Sequence, residues 1–235
     1  MKPRVVCIIP ARSDSRRFPR KHLELIGQNP MIGLLILRMK SLKLIDEVVV
    51  ATTKRKCDDE LISVSKDFGA KVFRGSLEDV IGRFAEASRE YETDICVKAN
   101  GDNPLQCPEV IDLGIKQLLS NKLDLVTGKN KYTDLPIGIG AEIINIETIN
   151  WLDKNTPKEF REDPTNYIFY TSTLRRIEGI KVPKSWTESS ESITIDTPED
   201  MDKLKRIESM MPKTKPQDWK ILEIIGAMNN NEKSI

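Results

Sequence analysis

The sequence predicts an α/β protein whose mostly parallel sheet carries helices on both faces. Short apolar runs alternate with helical segments through the first half of the chain, and parallel strands are joined through such crossovers. Several runs are rich in β-branched residues on both faces, which is typical of strands that are buried on both sides. The predicted strands are Val5 to Ile9, Asp46 to Thr53, Ala70 to Phe73, Asp94 to Lys98 and Leu123 to Thr127.

The helices between these strands are predicted from the spacing of apolar residues and from boundary residues. Asn29 is expected to cap the first helix, with Pro30 at its first position. Gly69 is expected to follow the end of the second helix. The four predicted helices run from Pro30 to about Leu42, from Asp58 to Asp67, from Glu78 to Tyr91 and from Pro108 to Leu119. Their placement favours a doubly wound sheet.

The alternation of strands and helices breaks after Lys131, where a glycine-rich run begins. Segment 135–172 is therefore expected to form a small arm beyond the main sheet, within one domain of residues 1–228. Residues 229–235 are polar and are expected to form a flexible tail. Further predicted elements are strands over Ile143 to Ile146, Arg175 to Val182 and Ser192 to Asp196, and helices over Thr148 to Leu152, Glu199 to Met210 and Lys215 to Met228.

Composition excludes several classes of protein. The 37 basic and 36 acidic residues give a net charge of +1, which argues against a general nucleic-acid-binding domain. No apolar run approaches the roughly 18 residues of a membrane-spanning helix, and we expect neither membrane insertion nor a signal peptide. Four cysteines without a CxxC pair indicate a reducing cytoplasm and no zinc site. With His22 as the only histidine, Ser-His-Asp chemistry is not expected.

The loop after the first predicted strand is strongly basic. Arg12, Arg16, Arg17, Arg20 and Lys21 fall within ten residues, and serines and an aspartate lie among them. Ligands of open parallel sheets bind outside the carboxyl ends of the strands, where this loop would lie. Guanidinium and ammonium groups suit phosphate oxygens, so the loop is a candidate nucleoside triphosphate site. The alternatives are a solvated basic loop or a nucleic-acid patch.

Two aspartates follow predicted strands. Asp102 comes shortly after Lys98, and Asp196 ends the run that begins at Ser192. Mg²⁺ prefers oxygen ligands and is typically held by one or two carboxylates together with substrate phosphates. A carboxylate opposite a basic loop is therefore suited to a metal–triphosphate site. The structural alternatives are that Asp102 forms a turn before Asn-Pro and that Asp196 caps a helix.

The run from Ile9 to Lys21, Ile-Pro-Ala-Arg-Ser-Asp-Ser-Arg-Arg-Phe-Pro-Arg-Lys, resembles the signature of the cytidylyltransferases that activate Kdo, sialic, pseudaminic and legionaminic acids. It is most similar to their spore-coat polysaccharide cytidylyltransferase-like branch, which includes phosphonate cytidylyltransferases. Segments 101–105 and 196–200 also match family segments. The resemblance covers about Val5 to Leu204 and implies a Rossmann-like nucleotide-diphospho-sugar transferase fold.

The resemblance also implies which residues act. It implies that Arg12, Lys21 and Asp102 are catalytic and that Asp102 and Asp196 hold Mg²⁺. An acidic acceptor, either a sugar acid or a phosphonate or phosphate, would receive CMP from CTP and release pyrophosphate, for surface polysaccharide or glycoconjugate biosynthesis. The implied CTP contacts are Ala11, Arg12, Ser13, Ser15, Arg17, Lys21, Thr52 and Asn100.

Two further segments carry the acceptor assignment. The run from Pro136 to Glu142 and the run Arg161-Glu162-Asp163-Pro-Thr165 resemble family segments, which implies acceptor contacts from Glu142, Arg161 and Glu162. The family's arm crosses to a partner chain, so a homodimer is expected. Two positions depart from the family pattern: Asp163 replaces a histidine and Arg20 replaces a glycine. A positive φ at position 20 would disfavour arginine.

Two other functions remain open at this point. A glycosyltransferase of the same sheet type would use an already activated sugar, but such enzymes normally carry an Asp-x-Asp motif, which Asn100-Gly-Asp-Asn103 is not. A non-catalytic nucleotide-binding relative is the second. The presence of Arg12, Lys21, Asp102 and Asp196 favours the enzyme over this alternative.

Overall fold

The computed structural model describes residues 2–163, 165–171 and 176–232. Its main sheet has seven strands in the order β5-β4-β1-β6-β8-β7-β9, and β2 and β3 form a separate small hairpin. The strands are β1 (Val5–Pro10), β2 (Leu25–Ile26), β3 (Asn29–Pro30), β4 (Glu47–Thr53), β5 (Lys71–Gly75), β6 (Ile95–Lys98), β7 (Leu125–Thr127), β8 (Glu142–Asn145) and β9 (Ile177–Gly179).

The sheet is doubly wound, as the sequence predicts. β1 lies at its centre and pairs in parallel with β4 on one side and β6 on the other, so that Cys7 lies opposite both Val48 and Val97. The chain first builds outward through β4 and β5 and then returns to add β6. β8 alone runs antiparallel to its neighbours, β6 and β7. The strand order therefore reverses between β1 and β6, and a ligand crevice is expected at the carboxyl ends of those two strands.

In the described part of the chain, α-helices cover both faces of the sheet. On one face, α3 and α5 pack against alternate strand residues such as Val6, Ile8 and Cys96. On the other, α1, α4, α6 and α7 pack against Cys7, Ile9 and their neighbours. Both cysteines are fully buried, as expected of small core residues. The helices are α1 (Met31–Lys40), α2 (Asp59–Asp67), α3 (Val80–Glu90), α4 (Pro108–Asn121), α5 (Ile146–Asn155), α6 (Pro198–Ser209) and α7 (Ile221–Glu232).

The start of α1 differs from the prediction. Asn29 and Pro30 belong to β3 and pair with Ile26 and Leu25, so Asn29 does not cap the helix. Pro30 itself holds the N-cap position with an extended backbone and no side-chain cap. Gly69 does follow the end of α2 with a φ of 78°, as predicted. No helix among the described residues is long and apolar enough to cross a membrane.

The predicted arm is wrong for the middle of its range. β8 lies inside the main sheet between β6 and β7. The helix that follows, α5, packs against α3 rather than reaching away from the domain. Residues 158–163 and 165–171 contain short turns outside the strands of the sheet, and Tyr167 and Phe169 lie in one of them. Position 172, the end of the predicted arm, lies outside the described residues.

The C-terminal predictions also need correction. Residues 192–196 form no strand: they lie beside the sheet through an isolated bridge from Ser192 to Ile137 and a hydrogen bond from the Ile195 amide to the Asp102 carbonyl. The last helix, α7, starts six residues later than predicted and includes Asn229, so the predicted tail is helical as far as Glu232. Residues 233–235 and Arg175, which was placed in a predicted strand, lie outside the described residues.

Candidate active site

A cleft of about 850 Å³ opens at the carboxyl ends of β1 and β6. The first loop forms one wall and the segment after β6 forms the floor. The start of α3 and residues 158–163 complete the opposite side. Of the sequence-predicted site residues, eight line this cleft: Ala11, Arg12, Ser15, Lys21, Asn100, Asp102, Arg161 and Glu162. The fold thus brings together residues from both ends of the predicted site.

The first loop is fixed to the sheet by a buried aspartate. Asp58 accepts a hydrogen bond from the Ser13 amide at 2.7 Å and one from the Thr53 hydroxyl. Burial by itself raises the pKa of Asp58, but these hydrogen bonds outweigh it, and the pKa is lowered. Ser13 and Thr52 are buried, so neither presents its side chain to the cleft. The resemblance implies CTP contacts from both residues, and the lining of the cleft includes neither.

Arg20 adopts the left-handed conformation that its family counterpart, a glycine, would adopt easily. Its φ is 62° and its ψ is 13°. The Arg20 amide donates to the Ser13 carbonyl at 2.6 Å, and the guanidinium pairs with Glu60 at 2.7 Å. These contacts hold the turn that places Lys21. The arginine is thus accommodated at a positive φ.

Lys21 lies between the two predicted metal ligands. Its Nζ is 3.9 Å from Asp102 Oδ2 and 3.5 Å from Asp196 Oδ1, and it donates to the Ile195 carbonyl at 2.5 Å. The lysine is buried, whereas both carboxylates are about one-third exposed. Residues far apart in the chain thus meet at one ammonium group.

The two aspartates differ in their surroundings. Burial raises the pKa of Asp102; Lys21 opposes this shift and Asp196 adds to it. Asp196 forms an ion pair with Arg17 at 2.8 Å. Arg17 does not line the cleft, so its contact with the site is this ion pair. Thr197, not Asp196, is the N-cap of α6, in a capping box with Asp200. The helix-cap alternative for Asp196 is therefore wrong.

Glu142 does not line the cleft as predicted. It is buried, and its Oε2 receives the Lys98 ammonium at 2.8 Å and the Thr165 hydroxyl at 2.7 Å. Lys98 also donates to Asp163, the residue in place of the family histidine, at 3.4 Å. Burial by itself lowers the pKa of Lys98, but the two carboxylates outweigh it and the pKa is raised. Glu142 thus positions Lys98, which does line the cleft.

Arg161 is held by two carboxylates. It pairs with Asp79 at 2.8 and 2.9 Å and with Asp153 at 2.8 Å. Asp79 also caps α3 by accepting from the Gly82 amide. Arg161 therefore fixes segment 158–163 against α3, and its charge is already balanced.

Sequence reasoning missed several cleft residues. Lys98 and Arg83 line the cleft, and so does Lys129. A lysine that ends the apolar strand Ile95–Lys98 is a signal that could have identified Lys98, because polar residues are unusual in such a strand. Arg83 lies on the buried face of the amphipathic helix α3, where only apolar residues were expected. Nothing in the local pattern around Lys129 singles it out.

The carboxylates at the cleft suit a divalent metal only in combination with a substrate. Among the described residues no group of three or more histidine, cysteine, aspartate or glutamate side chains could hold a metal. Asp102 lines the cleft, whereas Asp196 does not line it but lies 3.5 Å from the same Lys21 ammonium that is 3.9 Å from Asp102. Two carboxylates completed by phosphate oxygens and water are the donor set that Mg²⁺ prefers, so these residues fit it.

Comparison with known proteins agrees with this geometry. The cytidylyltransferase family model matches residues 6–221. The chain is 28% identical to the spore coat polysaccharide biosynthesis protein SpsF of Bacillus subtilis, over 97% of this chain and 95% of that protein. It is 34% identical to the 3-deoxy-manno-octulosonate cytidylyltransferase of Pelobacter propionicus, over 61% of this chain and 56% of that protein.

A solved structure is similar over nearly the whole length. A cytidylyltransferase from Leptospira borgpetersenii superposes with a TM-score of 0.88 at 27% identity, covering 99% of this chain and 96% of that one. The family model, the relatives and the structure all point to the same class. The chain therefore belongs to the cytidylyltransferase family and is a nucleotidyltransferase of the class that transfers CMP from CTP.

Proposed function

We propose that this enzyme transfers CMP from CTP to an acidic acceptor, either a sugar acid or a phosphonate or phosphate, with release of pyrophosphate. The observation that carries the proposal is the position of Lys21 between Asp102 and Asp196, at the point where the strand order reverses. A basic group beside two carboxylates that are each about one-third exposed suits a triphosphate that brings its own cation. The identity of the acceptor is the finer part of the proposal.

The first loop would hold the nucleotide. Arg12 and Ser15 face the cleft beside Lys21 and can donate to phosphate oxygens. Asn100, at the end of the β6 segment, offers an amide to the nucleotide. Because Asp58 fixes the Ser13 amide, the loop is arranged before substrate binds. A site arranged in advance stabilises developing charge without reorganising during the reaction.

Cytidylyltransferases of this family generally use a divalent metal. Asp102 and Asp196 are the residues that would hold Mg²⁺ in this chain. When bound, the metal would neutralise triphosphate charge. Lys21, kept between the same two carboxylates, would add a second positive charge near the leaving pyrophosphate.

The acceptor would lie on the side of Lys98, Arg161 and Glu162. Its anionic oxygen would attack the α-phosphorus in line, forming the new P–O bond as the bond to pyrophosphate breaks. A phosphonate or phosphate oxygen is ionised near neutral pH and needs no general base, whereas a sugar hydroxyl does. His22 is a poor base for this role because burial, reinforced by Lys21, lowers its pKa to about 4.

The test measures pyrophosphate release from each of the four nucleoside triphosphates against a panel of acidic sugars, phosphonates and sugar phosphates. We expect turnover with CTP and one class of acidic acceptor, and little with the other nucleotides. Release that is equal for all four nucleotides would contradict the base assignment. No release with any acidic acceptor, while CTP binds, would contradict the acceptor class.

The assembly and location of the enzyme are part of the same proposal. We expect a cytoplasmic homodimer, since closed two-fold dimers are the commonest assemblies. The aromatic residues of segment 158–171 include Tyr170, which is exposed and stacks obliquely on Phe160. A monomer mass by light scattering at micromolar concentration would contradict the dimer.

A further inference from the structure

Arg83 is a buried cation without an acidic partner. Its side chain lies on α3, lines the cleft and is only 3% exposed as a residue. Its Nη1 donates to the Ser76 carbonyl at 2.6 Å. Among the described residues, no carboxylate oxygen lies within 4.0 Å of a guanidinium nitrogen of Arg83, so Arg83 forms no ion pair there. A buried charge is costly unless it is paired and hydrogen-bonded.

The two acidic residues whose charges act on Arg83, Asp58 and Asp79, are engaged elsewhere. Asp79 accepts from Arg161 and from the Gly82 amide, and Asp58 accepts from Ser13 and Thr53. Burial, followed by the charge of Arg12, lowers the pKa of Arg83 to about 10, and these two aspartates only partly oppose that shift. The protein therefore does not neutralise the positive charge of Arg83, and an anionic ligand could do so.

The chain makes room for this guanidinium. A Cβ atom at Gly75, the last residue of β5, would lie 2.7 Å from Cγ of Arg83. Any larger residue at position 75 would push the arginine stem out of its place against the strand. Arg83 can therefore pack against Gly75 and donate to Ser76 while it lines the cleft.

We propose that Arg83 binds a phosphate group of the nucleotide, on the side of the cleft that also holds Arg12. This inference rests on the proposed function, and it adds a phosphate contact from a helix to those of the first loop. The nucleotide is favoured over the acceptor because Arg83 shares its surroundings with Arg12 and Ser76. Arg161, on the acceptor side, is already balanced by two carboxylates.

The test compares Arg83→Gln and Arg83→Lys with the wild type in calorimetric binding of CTP at constant Mg²⁺. The matched control is Arg89→Gln, because Arg89 lies on the same helix, is exposed and does not line the cleft. We expect Arg83→Gln to weaken CTP binding about tenfold or more, as for the loss of a charge-assisted hydrogen bond. Arg83→Lys should lose less, and Arg89→Gln should bind CTP as the wild type does.

Two readouts separate binding from a structural role. Displacement of CTP by inorganic tripolyphosphate should be weakened in Arg83→Gln, and the melting temperature of the ligand-free variant should not fall. If Arg83→Gln binds CTP as tightly as the wild type does, the proposal is wrong. It is also wrong if Arg83→Gln binds CTP more weakly but tripolyphosphate displaces CTP as well as it does from the wild type. If Arg83→Gln fails to fold, Arg83→Lys decides in the same way. A wild type that binds no CTP would overturn the proposed function as well.

Discussion

Two buried lysines at the same edge of the sheet, Lys21 and Lys98, are each flanked by two carboxylates. At Lys98 the contact to Glu142 is 2.8 Å and that glutamate is only 5% exposed at its side chain. At Lys21 the distances are 3.5 and 3.9 Å, and Asp102 and Asp196 are about one-third exposed. Lys98 thus has one close, buried partner in Glu142, and its second carboxylate, Asp163, is 3.4 Å away and 44% exposed. Neither carboxylate beside Lys21 is close or buried, so both can exchange partners when a ligand binds.

The pKa shifts differ in the same way. Burial by itself raises the pKa of Glu142, but Lys98 and Lys129 outweigh it and the pKa is lowered. The pKa of Asp102 is instead raised, because Lys21 does not offset its burial. The Lys98–Glu142 pair is a structural contact that joins β6 to β8. The charges of Lys21, Asp102 and Asp196 are only loosely paired, so they can interact with a substrate and a cation.

The largest expected effect follows from breaking the Lys98–Glu142 pair. Lys98→Met removes the cation that Glu142 and Asp163 share and leaves Glu142 with its longer ion pair to Lys129, at 3.4 Å. Losing one partner of a buried pair costs about 3–5 kcal/mol. We expect the free energy of unfolding in urea to fall by that amount. The double variant Lys98→Met with Glu142→Met should recover at least half, since the buried charge is gone. A loss below about 1 kcal/mol in the single variant would show that the pair does not stabilise the fold.

The two aspartates beside Lys21 should behave in the opposite manner. Asp102→Asn and Asp196→Asn each keep the shape but remove a charge, so turnover at limiting Mg²⁺ should fall about a hundredfold or more while the melting temperature stays near wild type. Asp202→Asn, at an exposed position on α6, is the matched control and should keep full activity. If the turn alternative holds for Asp102, its variant would also be fully active, because asparagine serves turns as well as aspartate.

His22 makes the stability of the protein depend on pH. It lies beside Lys21, and its pKa is lowered from 6.5 to about 4. The unfolded chain binds this proton first, so stability is present above about pH 6.5 and is lost as the pH falls toward 4. We expect a loss of about 2 kcal/mol between pH 7 and pH 5, measured by urea unfolding. Glu142 and Asp163, with lowered pKa values, should contribute only below about pH 4.

A His22→Gln variant is the control for this pH dependence. Its unfolding free energy should be flatter between pH 7 and pH 5, whatever its absolute value at pH 7. An equal slope in the variant and the wild type would assign the pH dependence to other groups.

The smallest expected effect concerns the turn that carries Lys21. Arg20→Gly removes the strain of a left-handed arginine, which favours the folded state, but it also loses the exposed pair with Glu60 and makes the unfolded chain freer. We expect the free energy of unfolding to rise by at most about 1 kcal/mol, with activity unchanged. Glu60→Gln isolates the ion pair. A fall of more than about 1 kcal/mol in Arg20→Gly would mean that the side chain, not the backbone, holds the turn.

Much of the sheet could be predicted from local patterns. β1, β4 and β6 are within a residue or so of their expected bounds, because a strand buried on both faces needs an apolar run that little else in the chain resembles. The break in this pattern after Lys131 was correctly located but wrongly interpreted as an arm. An antiparallel strand such as β8 can enter the middle of a sheet, and nothing local in residues 142–145 says so.

The site divides along the same line. Arg12, Lys21 and Asp102 were identified because their segments carry the family's residues, and they do line the cleft. Arg83 and the Lys98–Glu142 pair were not identified. A charge on an apolar strand or helix face marks a candidate residue, but its role depends on contacts that only the fold shows. Asp196 and Lys21 are far apart in the chain and meet only in the folded domain.

The sequence by itself determined the α/β class, the basic loop and the two aspartates, since hydrophobic period and turn chemistry act over a few neighbouring residues. The tertiary structure alone decided which carboxylate pairs with which cation. Ion pairing depends on distances of a few ångströms between residues as far apart as Lys21 and Asp196. It also depends on burial, which sets the cost of each unpaired charge. That is why Glu142 closes a structural pair while Asp102 remains open to a ligand.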